Sequence, residues 1–147
     1  MAFETERFDS SKFEEGVWVE VMGGRFKIAR AGNATYERIR ARAKLDRIKD
    51  PVRYQRELYR CIGEGIVLDW DDVMAQGKPI PYSVESFVKV LQRNPDLLAP
   101  LMDEANDLEN FRNEAIESDL GEPSASSAGV TIGSRKTSKT PTTNTSS

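Results

Sequence analysis

Residues 17–30 read VWVEVMGGRFKIAR and contain the clearest structural signal in the sequence. Valine occupies every second position of the first half, and Phe26 and Ile28 continue the alternation in the second half. Such a period of two is typical of a strand with one buried face. Gly23–Gly24 separates the halves and suits a tight turn. The stretch therefore predicts a β-hairpin, with Trp18 on the opposite face and partly exposed.

The chain that follows the hairpin predicts helices. Asn33 can cap a helix over residues 35–49, and Asp50, which precedes a proline, predicts the start of a second helix. Glycines from Gly63 onward predict its end. A loop with two prolines then precedes Ser83, which is a candidate cap for a third helix.

These patterns predict a mainly α fold with an N-terminal β-hairpin, an α+β arrangement in which the hairpin packs on a small helical bundle. We expect residues 1–15 to be flexible and residues 16–121 to form the hairpin and helical domain, with a last helix that runs to about Leu120. Residues 122–147 are rich in Ser, Thr, Gly and Lys and contain no aromatic residue. They cannot bury enough apolar surface to offset ordering, so we expect a disordered tail.

The composition argues against an enzyme. The 147 residues include no histidine and a single cysteine, Cys61. The chain therefore lacks the commonest general base, and it cannot build an ordinary zinc site. It also lacks the glycine motifs that bind phosphates. We expect no catalytic residue, no cofactor and no metal site, and we expect Cys61 to be a buried core residue.

The same composition gives expectations about location. One cysteine cannot form an internal disulfide, and no stretch is long and apolar enough to span a bilayer. The acidic first residues lack the basic and apolar regions of a signal peptide. We therefore expect an intracellular protein without a membrane partner.

Charge is distributed unevenly along the chain. Residues 25–60 hold 12 of the 21 Lys and Arg residues and four acids, whereas residues 64–122 hold 14 of the 24 acids and four bases. The net charges are +8 and −10. This pattern is compatible with two solvated faces, with head-to-tail self-association into rings or spirals, or with nucleic-acid binding. The basic residues in question are Arg38, Arg40, Arg42, Lys44 and Arg47.

Three aspartates, Asp69, Asp71 and Asp72, surround Trp70. They could form a cation site or a carboxylate pair, but they lack the glycine and glutamate spacing of a calcium loop. A turn stabilised by its own aspartates beside an anchoring tryptophan is the simpler interpretation.

Several short segments occur in an order that is typical of one known family. The hairpin ends in GRFKIAR (24–30) and leads to GNATY (32–36), IVLDW (66–70) precedes the loop GKPIPYS (77–83), and NDLENFR occupies residues 106–112. In order and spacing, residues 17–117 resemble the tail assembly chaperones of long-tailed, siphovirus-type bacteriophages.

The resemblance implies a non-enzymatic chaperone that binds the phage tape-measure protein and recruits tail tube subunits. It also implies location in the host cytoplasm and absence from the mature virion. Trp70 and Tyr82 lie in the segments that carry the resemblance, so we add them to Arg38, Arg42 and Arg47 as candidate interaction residues. A structural tail completion or connector protein, or a small nucleic-acid-binding regulator, remains an alternative.

Overall fold

A three-stranded antiparallel sheet and five α-helices make up the part of the chain that the computed structural model describes, residues 2–115. The chain divides into two compact units. The larger comprises residues 8–111, and the described residues of the smaller are 2–7 and 112–115. In the smaller unit the Asn113 backbone N–H donates to the carbonyl oxygen of Arg7 at 2.9 Å. The predicted disordered tail lies outside the described residues.

The predicted hairpin is confirmed, with one change in its turn. Strands β1 (Val17–Val21) and β2 (Gly24–Ile28) pair antiparallel, and Trp18 on the outer face is 42% exposed. The turn is Met22–Gly23 rather than Gly23–Gly24, and both residues have positive φ, 52° and 87°. Positive φ at both central residues is the geometry of a type I′ turn, whose twist matches that of the strands.

A third strand extends the sheet. Strand β3 (Val67–Asp71) pairs antiparallel with β2, so that the order is β1-β2-β3. A separate hairpin of two-residue strands follows, β4 (Met74–Ala75) and β5 (Lys78–Pro79). The sequence predicted an apolar run and a non-helical loop here, but neither the third strand nor the second hairpin.

The helices begin where the capping residues predicted. Asn33, Asp50 and Ser83 each accept a hydrogen bond from a backbone N–H three residues ahead. The α-helices are α1 (Ser10–Glu15), α2 (Ala34–Ala43), α3 (Pro51–Gly65), α4 (Val84–Arg93) and α5 (Leu98–Asn106). Short 3₁₀ segments occupy Leu45–Arg47, Pro95–Leu97 and Leu108–Phe111.

Some helix boundaries differ from the prediction. The helix expected over residues 35–49 ends at Ala43, because Lys44 takes a left-handed conformation with φ of 50° and its N–H caps the carbonyl of Arg40. The reversal allows Leu45 to be buried. Helix α5 ends at Asn106, short of the predicted end near Leu120. Residues 114–115 are helical again, and residues 116–120 lie outside the described residues.

Within residues 1–15, which we expected to be flexible, Ser10–Glu15 forms helix α1. Asp9 caps α1 by accepting from the Ser11 N–H, and the Phe13 ring packs edge-on against Phe111 at 5.7 Å. Because Asp9 and Phe111 are also joined by a backbone hydrogen bond of 2.8 Å, this segment belongs to the packed unit.

The core lies between the inner face of the sheet and helices α3, α4 and α5. Helix α3 continues through Gly63 and ends at Gly65, the second of the two glycines expected to end it. A Cβ at position 63 would lie 2.8 Å from the Phe87 ring of α4. Glycine thus allows the close packing of α3 on α4. No helix among residues 2–115 is long and apolar enough to cross a membrane.

Candidate partner-binding groove

An aromatic cluster fixes the base of the site. The rings of Phe26 and Trp70 meet edge-on at 6.4 Å, and Trp70 meets Tyr82 edge-on at 5.1 Å. Phe26 and Trp70 are opposite each other in the β2–β3 register, and Phe87 of α4 closes the cluster. Edge-on packing is a favoured arrangement for aromatic rings, so this cluster is well packed.

Above the base lies an open groove of about 560 Å³, bounded by the β1–β2 turn, the β4–β5 hairpin and α4. Its buried lining side chains are apolar, and its exposed lining residues are both polar and apolar. The apolar lining residues are Val21, Met22, Phe26, Val73, Met74, Ala75, Ile80, Val90 and Leu97. Its polar lining residues are Asp72, Gln76, Ser86, Lys89, Arg93 and Asn94.

Two exposed methionines border this groove from opposite hairpins. Met22 is 65% exposed and Met74 is 56% exposed. Methionine side chains are flexible and polarisable, and they are common at surfaces that adapt to different partners. An apolar floor with exposed methionines at its rim is therefore suited to an apolar segment of another protein.

The backbone at the rim is held in uncommon conformations. Among residues 2–115, Met22, Asp72 and Gln76 are three of the four non-glycine residues with positive φ, and all three line the groove. Each such position costs about 1–2 kcal/mol for an ordinary side chain. Strain of this kind persists where the surrounding structure enforces it, and it clusters at binding sites.

The structure places the predicted site residues in two different environments. Trp70 is 6% exposed, and its indole N–H donates to the carbonyl oxygen of Ile80 at 2.7 Å. Tyr82 is half-buried, and its hydroxyl lies within hydrogen-bonding distance of the carbonyl oxygens of Gly63 and Val67. Both residues therefore pack in the aromatic cluster beneath the groove and offer little surface to a partner.

The three arginines lie elsewhere, in residues 38–56, whose exposed cations we together call the basic face. Arg38 and Arg42 are exposed on α2, and Arg47 is exposed in the segment that follows. The other exposed members of the basic face are Arg40, Lys44, Lys49, Arg53 and Arg56. Within the described part of the chain, none of these eight cations forms an ion pair. None of them lines the groove.

Asp69 and Asp71 lie in strand β3 and not in the turn that the sequence predicted, and Asp72 follows the strand with a positive φ of 58°. Side-chain oxygens of Asp69 and Asp71 accept from the backbone N–H of the residue that follows each, at 2.8 and 2.9 Å. Asp71 also pairs with Arg25 on the outer sheet face at 3.5 Å. Among residues 2–115, no group of three or more His, Cys, Asp or Glu side chains is placed to hold a metal ion.

Cys61 is buried, as predicted, with 2% of its surface exposed. Burial raises the pKa of its thiol, and the carboxylates of Glu64 and Glu57 add to this effect. The thiolate is therefore disfavoured, which agrees with a packing role.

The sequence analysis did not identify the groove residues. One signal was available for Met22, because a large apolar side chain in a tight turn cannot be buried by the turn itself. Lys89, Arg93 and Met74 gave no comparable signal, since their meeting depends on how α4 and the second hairpin pack.

Comparison with known proteins gives a match to a family model. The sequence model of a family described as YdaY prophage protein matches residues 25–122, a range that includes β3, Met74, α4 and all of β2 except Gly24. Neither a curated protein nor a solved structure matches the chain. Because the match spans about two thirds of the 147 residues, this phage-derived chain belongs to the YdaY prophage protein family.

Proposed function

We propose that this chain is a non-enzymatic phage tail assembly chaperone that binds the tape-measure protein and recruits tail tube subunits. The observation that carries the proposal is the apolar groove with Met22 and Met74 exposed at its rim. The prophage family supplies the phage context, and the sequence resemblance supplies the identity of the client.

A chaperone must cover apolar surface of its client before assembly and release it afterwards. An open groove with flexible methionine side chains meets both needs, because it can adapt to several segments of a long helical client without enclosing any of them. The well-packed aromatic base keeps the groove formed when it is empty, which lowers the ordering cost of binding.

The test is coexpression of the chain with the tape-measure protein of its own prophage, with soluble tape-measure protein as the readout. We expect the double variant Met22→Lys/Met74→Lys to lose most of the solubilised client. The matched control is Val52→Lys/Leu108→Lys, because Val52 and Leu108 are also exposed, at 66% and 43%, but lie outside the groove. Equal loss in both double variants would contradict a role for the groove.

Mass spectrometry of purified particles separates the chaperone from a structural tail completion or connector protein. A chaperone leaves before the particle is finished, so peptides of this chain should be absent from particles and present in infected or induced cells. Stoichiometric recovery from particles would overturn the proposal in favour of the structural role.

The basic face favours a second candidate function, a small nucleic-acid-binding regulator. Its arginines are exposed and have no ion-pair partner within residues 2–115, so they are available for contacts with phosphates. Filter binding at low salt should then show an affinity that falls steeply as salt rises. Loss of that binding in Arg38→Glu/Arg42→Glu/Arg47→Glu would support the regulator. If the basic face instead mediates contacts between copies, the same variant should sediment as a smaller species than the unaltered chain.

A further inference from the structure

The wall of the groove formed by α4 carries two cations, Lys89 and Arg93. They lie four residues apart on the helix and are therefore on the same side, about 6 Å apart along its axis. Both are exposed, and neither has an ion-pair partner among residues 2–115. A buried apolar floor next to two unpaired cations offers a partner two kinds of contact at once.

These cations stand out against their surroundings. Residues 64–115 contain 11 acids and only four bases, and two of those four bases line the groove. The two cations do not neutralise nearby acids of the same chain, because no carboxylate of the described residues lies within 4 Å of either one. Asp72 lies on another border of the groove, so the charges that line it differ in sign from one border to another.

A helix fits this combination better than a strand. A helix presents an apolar stripe with charged residues directly beside it, whereas a strand presents two opposite faces. Acidic residues four apart on a helix that runs along α4 would have the same spacing as Lys89 and Arg93.

We propose that the groove selects an amphipathic helix whose apolar stripe is flanked by acidic side chains, and that Lys89 and Arg93 pair with those acids. This inference rests on the proposed function, because it names the chemistry of the client segment that the chaperone holds. Charge then determines which apolar helices bind, because a helix with Lys or Arg beside its apolar stripe is repelled by the two cations.

The test uses two conformationally stapled helical peptides with the same apolar stripe, one flanked by Glu and the other by Lys. Fluorescence anisotropy with the full chain measures both dissociation constants. We expect the Glu-flanked peptide to bind about tenfold more tightly, and we expect the difference to shrink as salt is raised. Lys89→Glu/Arg93→Glu should reverse the preference.

A matched control keeps the total charge change equal. Lys27→Glu/Arg60→Glu makes the same change outside both the groove and the basic face, and should leave the preference for the Glu-flanked peptide intact. Because Arg93 lies in the last turn of α4, where a cation also favours the helix, thermal unfolding checks each variant. If the charge-reversed protein fails to fold, Lys89→Gln/Arg93→Gln should abolish the preference without reversing it.

The outcomes separate this inference from the proposed function. Equal affinity for both peptides, lost in Met22→Lys/Met74→Lys, would overturn the charge selection and leave the apolar groove as the client site. Peptide binding that is unchanged in Met22→Lys/Met74→Lys would overturn both the charge selection and the groove as the client site. Absence of binding to either peptide would do the same. Concentration-dependent self-association that Lys89→Glu/Arg93→Glu abolishes would identify a second copy as the occupant and overturn the acidic helix.

Discussion

The two hairpins of this chain have the same type of turn but differ in strand length and in burial. Met22–Gly23 and Gln76–Gly77 both place two residues with positive φ between antiparallel strands. In the first hairpin the strands have five residues each, and their inner face is buried or half-buried. In the second they have two residues each, and all four residues are exposed.

The difference shows that turn chemistry alone does not hold a hairpin. The first is stabilised by the burial of Val21, Phe26 and Ile28 against the helices. The second depends on contacts outside its strands, since the Ile80 N–H donates to Val73 and the Ile80 carbonyl accepts from the Trp70 indole. One border of the groove is therefore built into the core, whereas another is held by a few hydrogen bonds.

The largest effect should come from removing the buried face of the first hairpin. Phe26 is 2% exposed and packs on Trp70, so Phe26→Ala should lower the free energy of unfolding by about 3–5 kcal/mol. Urea unfolding followed by circular dichroism measures this. Trp18→Ala, on the exposed face of the same hairpin, is the control and should cost much less. Equal losses would mean that burial does not decide the stability of this hairpin.

A smaller effect should come from releasing the second hairpin. Trp70→Phe keeps an aromatic ring but removes the donor to Ile80, which should cost about 1–3 kcal/mol. Hydrogen exchange should accelerate over residues 73–80 more than over residues 17–28. Tyr54→Phe, at an exposed position, is the control and should change neither segment. Uniform acceleration in both segments would show that the two hairpins open together.

The smallest effect should come from relieving the backbone strain in the two turns. Asparagine tolerates positive φ better than methionine or glutamine, so Met22→Asn and Gln76→Asn should each raise stability by about 0.5–1 kcal/mol. Thermal unfolding measures the gain. Only Met22→Asn should also weaken binding of the Glu-flanked peptide, because it removes an exposed apolar side chain from the groove. Unchanged binding in Met22→Asn would exclude the first turn from the contact surface.

Glu104 offers an independent check on the packing of α5. Burial raises the pKa of its carboxyl, although the hydrogen bond from Asn110 opposes the shift. A raised pKa means that the folded state holds this proton more tightly, so stability should fall as pH rises past the ordinary glutamate range. Glu104→Gln should reduce this loss of stability with rising pH. Urea titrations at several pH values measure the free energy of unfolding for both proteins. An unchanged pH profile would show that Glu104 is solvated.

Local patterns in the sequence were sufficient for much of the fold. The alternation over residues 17–30 predicted the first hairpin, and the caps at Asn33, Asp50 and Ser83 predicted where three helices begin. These features depend on neighbours in sequence, because a strand face repeats every two residues and a cap bonds to an N–H three residues ahead. The end of α2 was missed, since burial of Leu45 outweighs the helical propensity of the residues after Ala43.

What the sequence determined by itself was the class of molecule: an α+β chain with uneven charge, a buried Cys61 and exposed arginines on α2. Only the tertiary structure decided the site. Strand β3 and the groove exist because residues more than forty positions apart, such as Phe26 and Trp70, meet in the sheet. The same long-range packing buries Trp70, which the sequence suggested for a surface, and brings Met22 and Met74 to one rim beside Lys89. Such meetings depend on the free energy of the whole fold, and no local pattern encodes them.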